Sequence, residues 1–341
     1  IQELGKKRQE FEKLSKGGVS SLEKKDHRFR ILALGTTSVA PRRLILGSET
    51  PRSKQSKLYE TKRELVQLIE EVVGDFRTAG DAYYINYEFT KALQTYQQGL
   101  EYVAKDEVPT LWADLQILIG NANSEMAIRS EGPAIHEHRK AALKAYQQSL
   151  LGYTRDQFPQ AWAGVQNNLG NTLGDQGIRT GGEEGRQLLA QAVAAYKAAL
   201  EVYTREHLPE GWAQTHSNLA EAYLSLEDWQ RAAESYRNVL TLYPDSAKTY
   251  FAACSLYQEK LFAYSEAFEL TKHWLQQHPD DIAAQANFAE AHFTTGRFDE
   301  AEQRLATLPT NDALRDNAVP LRALQIATLY TLNKRSLISE R

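Results

Sequence analysis

The chain repeats itself every 50 residues, and this periodicity limits what it can fold into more than any other feature. Pro109, Pro159 and Pro209 each open a Pro-x-x-Trp-Ala segment carrying Trp112, Trp162 and Trp212. The same interval relates Gly120, Gly170 and Ala220; Ala92, Ala142 and Ala192; Tyr96, Tyr146 and Tyr196; and Leu100, Leu150 and Leu200. Chance does not hold so many registers together. Beyond Ala220 the period shortens to 34 residues, reaching Cys254 by way of Tyr223, Ala232, Tyr236 and Pro244. Two less regular units follow, one through Tyr250, Cys254, Tyr257, Ala267, Trp274 and Pro279, the other through Ala289, His292, Gly296, Ala301 and Pro309.

The spacing inside a unit is helical. A large residue eight before a small one (Trp162 to Gly170) and an aromatic three after it (Ala220 to Tyr223) fall on one stripe of a first helix, A. Ala192, Tyr196 and Ala199 form the stripe of a second helix, B. Gly or Ala at the crossing lets the two helices approach, and the Tyr ring fills the space beside it. Each pair keeps apolar surface uncovered, so it must stack on neighbours. Pro ends each B helix and opens the next turn. The expected class is all-α.

These residues resemble the tetratricopeptide repeat (TPR) family. That resemblance implies a helix-turn-helix solenoid, coiled as a right-handed superhelix, whose usual role is to bind proteins or peptides. The long units, with Gln166-Asn-Asn-Leu-Gly170 and His216-Ser-Asn-Leu-Ala220, are similar to those of kinesin light chain-type arrays and of bacterial scaffolds fused to signalling or caspase-like effector domains.

Three segments are expected: residues 1–63 as a basic arm or the remnant of a neighbouring domain, 64–318 as an array of about six helix pairs, and 319–341 as a capping helix and tail. The arm carries 16 Lys+Arg against 7 Asp+Glu, whereas the remainder carries 24 against 37, so a basic head precedes an acidic body. Such an arm is a candidate for occupying an acidic face of the array until a partner displaces it. Within the arm, residues 2–15 read as a short helix, 29–34 and 44–46 as strands of a hairpin, and 48–57 as a linker. Ile1 in place of Met points to a piece of a longer chain. Subtracting short from long units places the extra residues in Gly-rich A–B loops at 129–133 and 177–185, and around the end of each B helix, which is expected to be longer by a turn or more.

Most chemistry is excluded by what the residues cannot do. Gly35-Thr-Thr-Ser38 lacks the Gly-Lys-Ser/Thr ending of a phosphate loop. His136 and His138, two apart on a helix, point away from each other and have no third ligand at a metal-binding spacing. Cys254, the single cysteine, sits where the repeat needs a small core residue, which argues against a thiol-imidazole pair with His273 or His278. An acidic body disfavours nucleic acid, except through residues 1–63. No stretch is apolar enough for a membrane span or a signal peptide. The chain is therefore expected to be cytoplasmic, non-enzymatic and without cofactor or metal.

What remains is the polar face of the A helices. In register it carries Arg77 and Asp81, then Asn121, then Asn167, Asn168 and Asn171, then Gln214, Asn218 and Glu221. Asn both donates and accepts, which suits an extended peptide backbone. The expected function is an interaction scaffold with a protein or peptide in this groove; the alternative is a recruiting arm of a larger signalling or protease-type effector. In relatives that capture a carboxylate, Lys and Arg join the Asn residues. Here Ser217 and Glu221 stand where that charge is wanted.

Overall fold

A computed structural model describes residues 1–16 and 51–308, in two compact units, Ile1–Thr154 and Arg155–Arg341. The hairpin read at 29–46, the Gly35 loop and the closing helix read at 319–332 lie outside the described residues. All described regular structure is helical.

The first unit holds α1 (Gln2–Lys16), α2 (Pro51–Ile85), α3 (Phe89–Leu100), α4 (Pro109–Arg129) and α5 (Pro133–Ser149). The second holds α6 (Pro159–Thr180), α7 (Gly182–Leu200), α8 (Pro209–Ser225), α9 (Trp229–Leu242), α10 (Ala247–Ser255) with a π-helical turn at Leu256–Lys260, α11 (Tyr264–Gln277), α12 (Ile282–Thr294) and α13 (Phe298–Thr307). From α2 onward these form six A/B pairs among the described residues, α2 with α3 through α12 with α13. Pro109, Pro159 and Pro209 occupy the first turn of their helices, where a missing N–H costs nothing and the fixed φ is already helical.

The crossing of A and B in the long units is set by a glycine against a tyrosine. A Cβ on Gly80, Gly120 or Gly170 would stand 2.3, 2.5 and 2.5 Å from the ring of Tyr96, Tyr146 and Tyr196 respectively. All three tyrosines are buried, and burial pushes each phenol well above its ordinary pKa. A buried hydroxyl must find a partner, and each finds it one residue beyond the glycine. Tyr96 donates to Asp81 (2.7 Å), Tyr146 to Asn121 (2.8 Å) and Tyr196 to Asn171 (2.9 Å).

Two readings of the sequence need correction. The stretch 177–185 is not a Gly-rich loop: α6 runs to Thr180 and α7 starts at Gly182, so that Gly181, with φ +65°, is the whole connection. Between α4 and α5 only residues 130–132 intervene. The extra residues lengthen both helices of the pair instead, to 21 and 22 residues in α4 and α6 against 17 in α8, and to 17 and 19 in α5 and α7 against 14 in α9. Gly177 and Gly185 are needed because the two helices touch backbone to backbone there: a Cβ on Gly185 would lie 2.5 Å from the Gly177 carbonyl oxygen.

The other correction concerns the linker read at 48–57: its residues from Pro51 onward belong to α2, and the boundary read at 63/64 falls inside this 35-residue helix. Gln55, Ser56 and Lys57 are exposed on a solvated face of this long helix, whereas Thr61 and Leu65 are buried. The short helix read at 2–15 is α1, and it is docked. Leu4 is buried with Leu65, Ile69 and Val73. Arg8 donates to the Tyr102 carbonyl (2.8 Å) and to Glu107 (2.6 Å), while Lys7 reaches Glu64 (2.5 Å). Two of the arm's positive charges are thus spent within the first unit.

His216, on α8 beside Trp212 (ring centroids 4.6 Å), is held neutral by burial, with its pKa brought down to about 4. A histidine whose folded pKa lies below its unfolded value of 6.5 binds fewer protons folded than unfolded. The stability tied to it is complete above pH 6.5 and is lost as pH falls from there toward 4. His216→Gln is expected to flatten the pH dependence of the urea midpoint in that window, and an unchanged slope would show that His216 does not set it.

Candidate functional site

The polar A-helix face expected from the sequence is present in both units, and in the second it edges a cleft. Four of the predicted residues are tied together there. Asn218 donates to Asn171 Oδ1 (2.8 Å) and toward Asn167 Oδ1 (3.3 Å), and accepts from Gln214 (3.0 Å). Thr215, fully buried on the same helix, shares its one hydroxyl proton between the Gly211 carbonyl (2.7 Å) and Asn167 Oδ1 (3.2 Å). These amides join α6 directly to α8. Helical spacing explains it: Asn167 and Asn171 are one turn apart on α6, as are Gln214 and Asn218 on α8, so two ladders of equal pitch face each other.

Beside this network lies a cleft of about 970 Å³ between α8 and α10, with the end of α9 and the following turn as its floor. Gln214, Ser217, Asn218 and Glu221 line one side and Lys248 and Thr249 the other. Leu242, Tyr243 and Pro244 supply apolar surface, and Tyr243 keeps 44% of its own exposed. Three carboxylates, Glu210, Glu221 and Asp245, meet one ammonium, Lys248, which pairs with Glu221 (3.4 Å). The cleft is therefore net acidic. It offers an aromatic surface, amide donors and acceptors, and an anionic rim.

Glu221 is exposed at the edge of this cleft, whereas Asn168 is half-buried and its carbonyl accepts from Thr172 (3.0 Å). In the first unit Arg77 lies 3.5 Å from Asp114 and 3.9 Å from Asp81, and Asn121 accepts from Tyr146 as described. Asp114 also accepts from Tyr153. The positive charge of Arg77 is consequently balanced by carboxylates of its own unit. Reasoning from A-helix registers missed Tyr243, Asp245, Lys248 and Tyr153, because turns after B helices and the start of α10 supply them.

The groups set aside in the sequence are occupied elsewhere. His138 Nδ1 lies 3.1 Å from Asn123 Oδ1, and His136 is exposed. Cys254 is fully buried, 3.4 Å from the Thr271 hydroxyl, and burial raises its pKa, which keeps it a thiol. His273 is exposed, and His278 lies 3.3 Å from Asp245. Among the described residues no helix is long and apolar enough to cross a membrane.

Tetratricopeptide repeat models match residues 213–246 and 261–324. No curated protein matches the chain. Similar solved structures include Pseudomonas aeruginosa pilF (17% identity, TM-score 0.46, covering 76% of this chain and 99% of that one). A tetratricopeptide repeat protein from Parabacteroides merdae is similar at 14% identity and TM-score 0.44, covering 76% and 88%. The TPR2AB domain of yeast Sti1, in its complex with pHSP90, is similar at 17% identity and TM-score 0.30, covering 81% and 92%. Residues 213–246 and 261–324 thus carry tetratricopeptide repeats, and the helix pairs of the units before them are closed by a small-residue and tyrosine crossing.

Proposed function

We propose that the chain is a non-catalytic interaction scaffold that holds a protein or peptide segment against the polar face of its A helices, with the cleft between α8 and α10 as the anchor. The observation that carries this reading is the amide chain Gln214–Asn218–Asn171 at the edge of an open, aromatic-sided cleft. Because Asn171 Oδ1 is taken up by both Tyr196 and Asn218, its NH2 group is the part left to face a ligand, and it calls for a carbonyl. An extended peptide supplies carbonyls at every residue. The surplus of carboxylates at the rim favours a segment that carries Lys or Arg. This differs from carboxylate capture, in which Glu221 would repel the ligand.

Peptides selected from a random displayed library against the purified chain give the probe. Gln214→Ala combined with Glu221→Gln, both exposed positions, is expected to weaken the selected peptides by about tenfold or more, the scale of one lost hot-spot contact, without moving Tm by more than a few degrees. Selected peptides should be enriched in basic residues. Unchanged affinity in the double variant would remove the cleft from the interface.

A further inference from the structure

We propose that the pocket between α11 and α13 is a second binding site, which takes the anionic side chain of an acidic protein segment, carboxylate or phosphoryl, between Arg297 and Arg304. This pocket, of about 710 Å³, is built on the B-helix side of the last described repeat and shares no residue with the cleft between α8 and α10. Its floor is aromatic: Phe268 of α11 and Phe288 of α12 lie 5.0 Å apart, and His292 packs edge-on against both. On that floor stand two guanidinium groups, Arg297 at 4.1 Å from the Phe268 ring centre and Arg304 at 4.2 Å from that of Phe288.

Three observations make this an anion site rather than a packing detail. Two like charges are laid on neighbouring rings, and among the described residues neither pairs with a carboxylate within 4.0 Å. The carboxylate that lines the pocket, Glu269, is engaged by Lys272 (3.4 Å). Each guanidinium also lies over its ring within cation–π distance. Arg304 spends only Nε, donated to His292 Nε2 (3.2 Å), so its two terminal nitrogens remain for a forked contact with an oxyanion. Finally, His292 cannot neutralise the pair. It is 6% exposed, its Nε2 accepts from Arg304, its Nδ1 is buried without a partner, and burial together with both arginines depresses its pKa. The pocket therefore holds two cations beside a neutral imidazole, and an incoming anion finds charge-assisted donors there. An oxyanion on a peptide fits better than a free metabolite. The aromatic faces are already covered by the arginines, and what the open rim adds is Lys272, Gln276, Gln285 and Thr307, groups suited to a backbone passing over them.

Fluorescein-labelled peptides with an Ala-Xaa-Xaa-Ala core between glycines, Xaa being Glu, phosphoserine or Gln, test this by anisotropy on the full chain. The anionic forms are expected to bind about tenfold or more tighter than the Gln form, the scale of a charge-assisted forked contact. Arg297→Gln with Arg304→Gln should erase the preference. Arg304→Lys, which keeps the charge and loses the fork, should reduce it by about threefold or more and remains readable if the double variant unfolds. Preference for phosphoserine alone assigns a phosphoryl ligand, and preference for both anionic forms assigns any carboxylate or phosphoryl. Equal binding of all three peptides by the parent, or an undiminished preference in Arg304→Lys, would overturn the proposal. The Gln214 and Glu221 substitutions should leave the preference intact, so this test and that of the cleft fail separately.

Discussion

Tyr196→Ala is expected to lower the stability of the second unit by about 3–5 kcal/mol, the range for emptying a buried aromatic site. Three contributions converge at this position. The ring is 3% exposed and belongs to the cluster that joins Ala192, Leu219, Ala220 and Tyr223. It also fills the space that Gly170 leaves, a position with no side chain of its own to close the cavity. Removing the hydroxyl strands Asn171 Oδ1 on one side, although Asn218 still satisfies it on the other. Tyr196→Phe separates these effects, because it keeps the ring and loses only the hydrogen bond, and should cost about 1 kcal/mol. Urea unfolding of both variants measures the difference. If Tyr196→Ala falls within about 1 kcal/mol of the parent, the Gly–Tyr crossing is not what closes the helix pair.

The second large effect is expected at a glycine of α7, and Gly174 on the facing helix α6 supplies the control. Gly185→Ala should destabilise by about 3 kcal/mol or more, toward the upper end for overpacking, because the new methyl would meet the Gly177 carbonyl oxygen, a backbone atom held by α6. Gly177→Ala should behave likewise, with its Cβ 2.8 Å from the Gly185 oxygen. Gly174→Ala has 3.6 Å to its nearest neighbour, the Tyr196 hydroxyl. There the gain in helix propensity, about 0.5–1 kcal/mol, should leave the protein as stable as the parent or more so. The order of the three urea midpoints is the measurement. A Gly185→Ala chain as stable as Gly174→Ala would mean that α6 and α7 do not approach through these glycines.

The helix pairs were legible in the sequence because their determinants are local and repeat: a small residue, a tyrosine and a proline at fixed intervals. Gly120 against Tyr146 and Gly170 against Tyr196 appear in the structure as the spacing predicts. The error at 177–185 shows where that legibility ends. Glycine serves both a flexible loop and a close helix crossing, and composition does not distinguish a residue with no neighbour from one with a carbonyl 2.5 Å away. The start of α2 was hidden for a similar reason, since a solvated helix face has the composition of a linker. For the candidate cleft, the A-helix side was readable from the Asn registers, but Tyr243 and Lys248 come from a turn and from a helix in a shorter unit, outside the 50-residue phase. Arg297 and Arg304 carried no signal at all in the repeat pattern. Only the placement of Phe268 and Phe288 beneath them gives their charge a context.

The side-chain hydrogen bonds that run from Asn218 to Asn171 and from Thr215 to Asn167 have a consequence for how the array opens. In a linear stack each layer senses only the next, and local unfolding can travel one helix at a time. Here α6 and α8 hold each other across α7, so neither can leave without releasing both sets of amides. Backbone hydrogens of the two segments, about residues 165–172 and 213–220, would then exchange with solvent as one cooperative block with a common opening free energy, while α12 and α13, without such a tie among the described residues, open on their own.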